Sequence, residues 1–227
     1  MTQLVLQARG LHRFFRRGGE EIAALRDVSF AVAAGELVAV RGPSGCGKST
    51  LLALLAGLDR PDAGEVRLDD LPLTYRYAPD AVARRRATIG VLPQSGGLVE
   101  HLRVRDNVRM AARVRGVRAD VDAILDSVGL SSRARAWPSE LSGGETARAG
   151  LAIALVGAPR VLLADEPTAE VSSAEEQALL TLLRDTRPAS GATVVVTHSD
   201  TVAAAAHRVL DLRAGLLVSD EAVAVPA

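Results

Sequence analysis

Gly42-Pro43-Ser44-Gly45-Cys46-Gly47-Lys48-Ser49-Thr50 is the stretch whose reading decides the fold. An apolar run, Leu37–Val40, leads into it and a second, Ser49–Ala56, leads out. A buried strand, a glycine-rich turn and an interior helix are therefore expected in that order. Glycines let consecutive backbone N–H groups curl around an anion, and the helix adds the positive end of its dipole. The spacing G-x-x-x-x-G-K-[ST] places Lys48 at the terminal phosphates of a nucleotide and the Ser49 hydroxyl on its Mg²⁺.

On either side of this loop, Leu4–Ala8 and Ile22–Val32 read as strands, Arg60–Gly64 as a turn and Glu65–Leu68 as a further strand. From about Leu98 to Gly157 the pattern turns helical, with Arg105–Arg115, Val121–Val128 and Glu145–Val156 separated by Gly116, Gly129 and Pro138. Strands return at Val161–Ala164 and Thr193–Thr197, with a helix Ser173–Arg187 between them. Strands alternating with helices make an α/β fold with a mostly parallel sheet, and the helical stretch reads as an insert in it. A single unit over 1–227 is expected. Residues 1–94 and 157–219 form its core, 95–156 the helical part and 220–227 a frayed tail.

The 227 residues carry no net formal charge and 48% of them are hydrophobic. That balance suits a globular core and lacks the basic footprint of a nucleic-acid binder, so no nucleic-acid partner is expected. The one cysteine, Cys46, excludes an internal disulfide and fits a reducing compartment. Within the phosphate loop its thiol is expected to be reactive and to be protected by bound nucleotide. No apolar run reaches the roughly 18–20 residues that cross a bilayer, and the N-terminus lacks the apolar stretch of a signal peptide. Membrane association is therefore expected only through a partner. Lys48 is the sole lysine, so the one amine side chain sits where phosphate chemistry needs it.

Two other motifs carry chemistry. Val161-Leu162-Leu163-Ala164-Asp165-Glu166 buries a strand and delivers two carboxylates at its end. Asp165 suits Mg²⁺, held through water, and Glu166 suits polarising an attacking water. Leu141-Ser142-Gly143-Gly144-Glu145 sets a serine and two glycines at a helix start, a second anion-binding turn by the same physics. One domain does not need two such turns for one nucleotide.

The order of these motifs resembles that of the ATP-binding-cassette (ABC) proteins, with Walker A at 42–50, the signature at 141–145 and Walker B at 161–166. The resemblance covers essentially the whole chain. It implies an α/β P-loop NTPase, with a RecA-like parallel sheet core, an antiparallel β subdomain and an inserted α-helical subdomain. It also gives meaning to residues that read blandly alone. Phe15 falls where an aromatic ring stacks on adenine, Gln94 where a glutamine senses Mg²⁺ and the membrane partner, and His198 where a histidine contacts the γ-phosphate. The implied ligands are ATP and Mg²⁺. The implied partners are a second ABC ATPase subunit, identical or not, and an integral membrane permease at the cytoplasmic face of the membrane. Each ATP would lie between residues 42–50 of one subunit and Ser142, Gly143, Gly144 and Glu145 of the other.

Gly57-Leu58-Asp59-Arg60-Pro61, the segment around Ile89–Gln94 and the Leu102–Val108 stretch are similar to the LolD/MacB/FtsE-type ATPases. The short C-terminus after Gly215 agrees with that subgroup. A signalling ATPase that gates an extracytoplasmic enzyme is the alternative the resemblance leaves open. The chain departs from the family pattern at Phe15, usually tyrosine, at Thr146-Ala147, usually two glutamines, and at Ile153, usually arginine. The loop Ala169-Glu170-Val171-Ser172 lacks the usual Leu-Asp pair. Ser172 can cap the next helix in a box with Glu175, but a charge is missing there. Slow hydrolysis as a homodimer, or a regulatory role in a heterodimer, is the expectation that follows. Arg105, Arg109 and Arg113 share one helix face, either as a solvated face or as a contact for anionic lipid.

Overall fold

The computed structural model describes residues 3–73, 79–186 and 190–223. The apolar runs form the middle of a six-stranded sheet: β3 (Leu37–Arg41), β6 (Ile89–Leu92), β7 (Val161–Asp165), β8 (Ala192–Thr197), β9 (Arg208–Arg213) and β10 (Leu216–Ala222). Its order is β10-β9-β3-β8-β7-β6, parallel throughout except for the antiparallel β9–β10 pair. Residues 192–197 are all buried, as befits a strand covered on both faces.

Side-chain alternation along these strands divides the interior in two. Val38, Val40, Val161, Leu163, Val194 and Val196 face one cluster, with helix α1 (Lys48–Leu55) and the first β sheet. Leu37, Ala39, Leu162, Ala164 and Val195 face the other. That second cluster holds α3 (Val104–Arg115), α4 (Val121–Ser127), α5 (Gly143–Leu155), α6 (Ser173–Asp185) and α7 (Asp200–Ala205). One further helix, α2 (Pro79–Thr88), precedes β6.

The first sheet is antiparallel, in the order β2-β1-β4-β5, from β1 (Leu4–Arg17), β2 (Glu20–Ala33), β4 (Ala63–Leu68) and β5 (Leu71–Pro72). The sequence places a strand only over Leu4–Ala8, yet β1 runs on to Arg17. Gly10 explains the difference. At φ +56° it makes a bulge where the register with β2 shifts, and its amide donates to Ser29 Oγ at 2.8 Å. The strand therefore bends rather than stops, and carries Phe15 opposite Ile22 at the far end.

The C-terminal end is the other correction. Asp220, Glu221 and Ala222, read as the start of a frayed tail, pair with Leu210, Val209 and Arg208 in the β9–β10 hairpin. Arg208 ties Asp220 to Glu36 at 3.1 and 3.3 Å. Residues 224–227 and Arg187 lie outside the described residues, and α6 ends at Asp185. Strand β6 was also missed, because Gly90 interrupts its short apolar run.

Among the helices between β6 and β7, a buried asparagine fixes the entry. Asn107 accepts from Val99 N at 2.7 Å and donates to the Leu102 carbonyl at 2.9 Å, so the loop after Gln94 is pinned to α3. Arg115, mostly buried, donates to the carbonyls of Ala154 and Val156 at the C-terminus of α5. Those carbonyls have no partner within their own helix. The central sheet should be sensitive to lost volume. Leu162→Ala, in a strand with no exposed face, is expected to cost about 3 kcal/mol, read as a lower denaturant midpoint with an unchanged slope.

Candidate active site

Residues 42–47 link β3 to α1 in a turn whose glycines are required by close neighbours. A Cβ on Gly42 would stand 2.1 Å from the Leu212 carbonyl, and one on Gly47, at φ +110°, 2.4 Å from the Ala24 carbonyl. Lys48 is 9% exposed. Its Nζ donates to the carbonyls of Gly42 at 2.8 Å and Pro43 at 3.2 Å, so the loop closes on its own cation. Arg41, the last residue of β3, is held by Asp211 at 3.0 Å and Asp200 at 3.2 Å.

The mouth of this loop opens into a cleft of about 520 Å³. Phe15, Ser44, Gly45, Gly47, Lys48, Ser49, Thr50, Gln94, Asp165, Glu166 and His198 all line it, joined by Ala24. The sequence therefore names nearly the whole wall of the cleft. Three loop residues expected there are placed differently. Gly42 and Pro43 contribute the carbonyls around Lys48, and Cys46 turns its side chain into the core, 4% exposed. The expectation of a reactive thiol is thus corrected: the backbone at 46 belongs to the loop, but the sulfur packs beneath it.

Asp165 ends β7 and bonds to the Ser49 hydroxyl. Burial first, and the charge of Glu166 next, push its carboxyl above the usual carboxylate range, against the opposing pull of Ser49 and Lys48. Glu166 follows with φ +46°, a left-handed conformation that non-glycine residues rarely hold. Several bonds over-determine it. Its amide donates to the Val196 carbonyl at 2.9 Å, while Oε2 accepts from the His198 amide at 3.1 Å and lies 2.8 Å from His198 Nδ1. The imidazole itself is exposed. No cluster of three His, Cys, Asp or Glu side chains that could hold a metal alone occurs among the described residues. Mg²⁺ does not need one, since one or two carboxylates plus substrate phosphate oxygens suffice. The Ser49 hydroxyl, the Asp165 carboxylate and the Gln94 amide line the same cleft and could supply oxygen donors of that kind, and a cation there would relieve the charge of half-buried Asp165.

At the other end of the cleft Phe15 is 42% exposed, with the Arg13 guanidinium 4.7 Å over its ring. Asp59 and Asp62 grip Arg13 at 2.8 and 3.2 Å, and Asp62 also accepts from Phe14 N at 2.7 Å. Sequence reasoning missed this support. The turn Arg60–Gly64 was legible, but the hold of Asp59 and Asp62 on Arg13 was not.

Ser142, Gly143, Gly144 and Glu145 lie outside the cleft, at the start of α5. Ser142 Oγ accepts from Glu145 N at 3.1 Å, and Ser142 N donates to Glu145 Oε2 at 2.9 Å, a reciprocal cap. The Ser142 amide and then Arg133 hold the Glu145 carboxyl below its usual range. The two glycines have a cause the sequence did not show. A Cβ on Gly143 would stand 2.2 Å from the Glu170 carbonyl, and one on Gly144 2.3 Å from Glu175 Oε1. The loop 169–172 and the first turn of α6 press directly on this turn. Ser172 caps α6 as the sequence predicts, donating its hydroxyl to Glu175 Oε2 at 2.9 Å. On α3, Arg105 pairs with Asp122 and Arg109 with Asp106, the behaviour of a solvated face.

A glycine loop closed on a lysine after a parallel strand, with an acidic pair emerging one strand beyond its neighbour, defines a P-loop nucleoside triphosphatase. The ABC transporter family model matches residues 25–169, and the chain belongs to that family, as one of its ATP-hydrolysing cassettes. It is 37% identical to the macrolide export ATP-binding/permease protein MacB of Bordetella avium, over 98% of this chain and 35% of that protein. It is 41% identical to the methionine import ATP-binding protein MetN of Myxococcus xanthus, over 92% of this chain and 66% of that protein. The chain thus spans about a third of the length of the MacB relatives. Among solved structures, the dimeric ATP-binding cassette MJ0796, in a post-hydrolysis state with ADP and Pi, superposes with a TM-score of 0.87 at 30% identity. That match covers 98% of this chain and 99% of the other.

Two measurements check the electrostatics and packing of the site. Native Cys46 should react with a maleimide slowly with or without nucleotide, and fully once the chain is denatured. Asp165→Asn should raise the nucleotide-free melting temperature near neutral pH. A native carboxyl pKa above the unfolded value of about 3.9 makes wild-type stability fall as pH rises through that window. The advantage of the variant should therefore vanish as pH falls below it.

Proposed function

We propose that this chain is the ATPase of an ABC transporter, in which two cassettes close on two Mg-ATP molecules and reopen on hydrolysis, driving a membrane permease. The observation that carries the reading is the convergence of Lys48, Ser49, Asp165, Glu166 and His198, from three strand ends, on one cleft. The free amides at the start of α1 take the β- and γ-phosphates, and Lys48 exchanges the Gly42 and Pro43 carbonyls for phosphate oxygens. Phe15 offers its open face to the adenine. Ser49 and Asp165, with Gln94, would hold Mg²⁺, which neutralises charge on the phosphates during transfer. Glu166 uses Oε2 to fix His198 and keeps Oε1 for the attacking water, whose proton it draws off. His198 carries its ring to the γ-phosphate on the bond from Glu166.

Ser142–Gly144 line no part of this cleft, so they complete the site of a second cassette rather than their own. The dimeric state named for MJ0796 supports that arrangement, and the joint naming of ATP-binding and permease functions in MacB supports a permease partner. No helix among the described residues is long and apolar enough to cross a membrane. The pathway is accordingly assigned to a permease outside them, with the cassette at the cytoplasmic face of the membrane.

Glu166→Gln should lower ATPase activity by about 10²–10⁴-fold while giving an ATP-dependent dimer by size exclusion. Lys48→Ala should show neither nucleotide binding nor the dimer. Wild-type turnover in the Glu166 variant would overturn the assignment of the water-polarising group.

A further inference from the structure

The carboxylate of Glu175 is a feature that the proposed cycle does not use. It sits on the first turn of α6, with Oε2 accepting from Ser172 N at 3.2 Å and from Ser172 Oγ at 2.9 Å. Oε1 points the other way, onto Gly144, so closely that a Cβ there would be 2.3 Å distant. Gly144 is the second residue of α5, so this charge stands beside the free amides at that helix's N-terminus. Glu145, the other acid of the turn, is neutralised by Arg133 at 3.0 Å. Glu175 is not: Arg148 acts on it only through space.

We propose that Glu175 restrains the Ser142–Gly144 turn within its own chain, a carboxylate brake that ATP-driven pairing of two copies must overcome. The inference rests on the reading of Ser142–Gly144 as the turn that meets the partner's nucleotide. A triphosphate arriving at those amides meets a negative charge already seated against Gly144, in an interface that excludes water and so weakens screening. Closure then requires more ATP than the same turn would need without that charge. The brake also fixes the turn before pairing, since the 169–172 loop and α6 pack on both glycines at once.

Glu175→Gln isolates the charge, because glutamine serves in the same helix-capping box as glutamate. In a Glu166→Gln background, the ATP concentration for half-maximal dimer should fall about threefold to tenfold on adding Glu175→Gln. Sedimentation velocity would measure it, with melting temperatures of the two monomers compared. The gain should shrink at high salt, as a charge effect must. Arg148→Gln should raise the ATP requirement when Glu175 is present and leave it unchanged alongside Glu175→Gln, a cycle that does not depend on any one variant. An unchanged or higher ATP requirement in the Glu175→Gln protein would overturn the brake. A parent Glu166→Gln protein that never forms an ATP-dependent dimer would instead overturn the proposed function, and the brake with it.

Discussion

The amide of Gly215 donates to the Cys46 carbonyl at 2.9 Å, and the Gly215 carbonyl accepts from Arg26 at 2.8 Å. Through this one residue the turn of the β9–β10 hairpin is stitched to the phosphate loop and to β2. Gly42 lies against the carbonyl of Leu212 and Gly47 against that of Ala24. The loop is thus wedged between two strands far apart in sequence. A loop of glycines would otherwise be the most mobile part of the chain. Its fixed shape is a tertiary property, imposed by backbone contacts at distances that admit no side chain.

The catalytic corner is set against stability in the same way. Asp165 is half-buried beside another carboxylate, and Glu166 holds a left-handed backbone, a cost of order 1–3 kcal/mol where nothing offsets it. Both tensions end at the cleft, where hydrogen bonds from Ser49 and His198, and one from the Glu166 amide to the Val196 carbonyl, keep them in place.

What the sequence made legible follows from how local each signal is. The phosphate loop, the apolar runs of β3, β7 and β8 and the Ser172–Glu175 cap are all written within a few consecutive residues. The extension of β1 past Gly10 was not, because a bulge looks like a break until its partner strand is known. Asp220–Ala222 look like a polar tail, and become a strand only beside β9. Arg13, Asp59 and Asp62 support Phe15 across 46 to 49 residues of chain, with no spacing rule to reveal it. The same limit hid the neighbours of Gly143 and Gly144, which come from the 169–172 loop and α6, and misread Cys46, whose direction depends on how the loop curls.

The division of the interior by the central sheet has a consequence for how this chain can vary. Within β3, β7 and β8, adjacent residues serve different neighbours. Val38, Val40, Val161 and Leu163 bear on the nucleotide loop and the antiparallel sheet; Ala39, Leu162 and Ala164 bear on the helices that carry the Ser142 turn. Two halves of one machine are therefore encoded in alternate letters of the same words. Drift at even and odd positions of a strand can retune nucleotide grip and intersubunit contact separately. Insertion or deletion of a single residue there exchanges the two sets and spoils both.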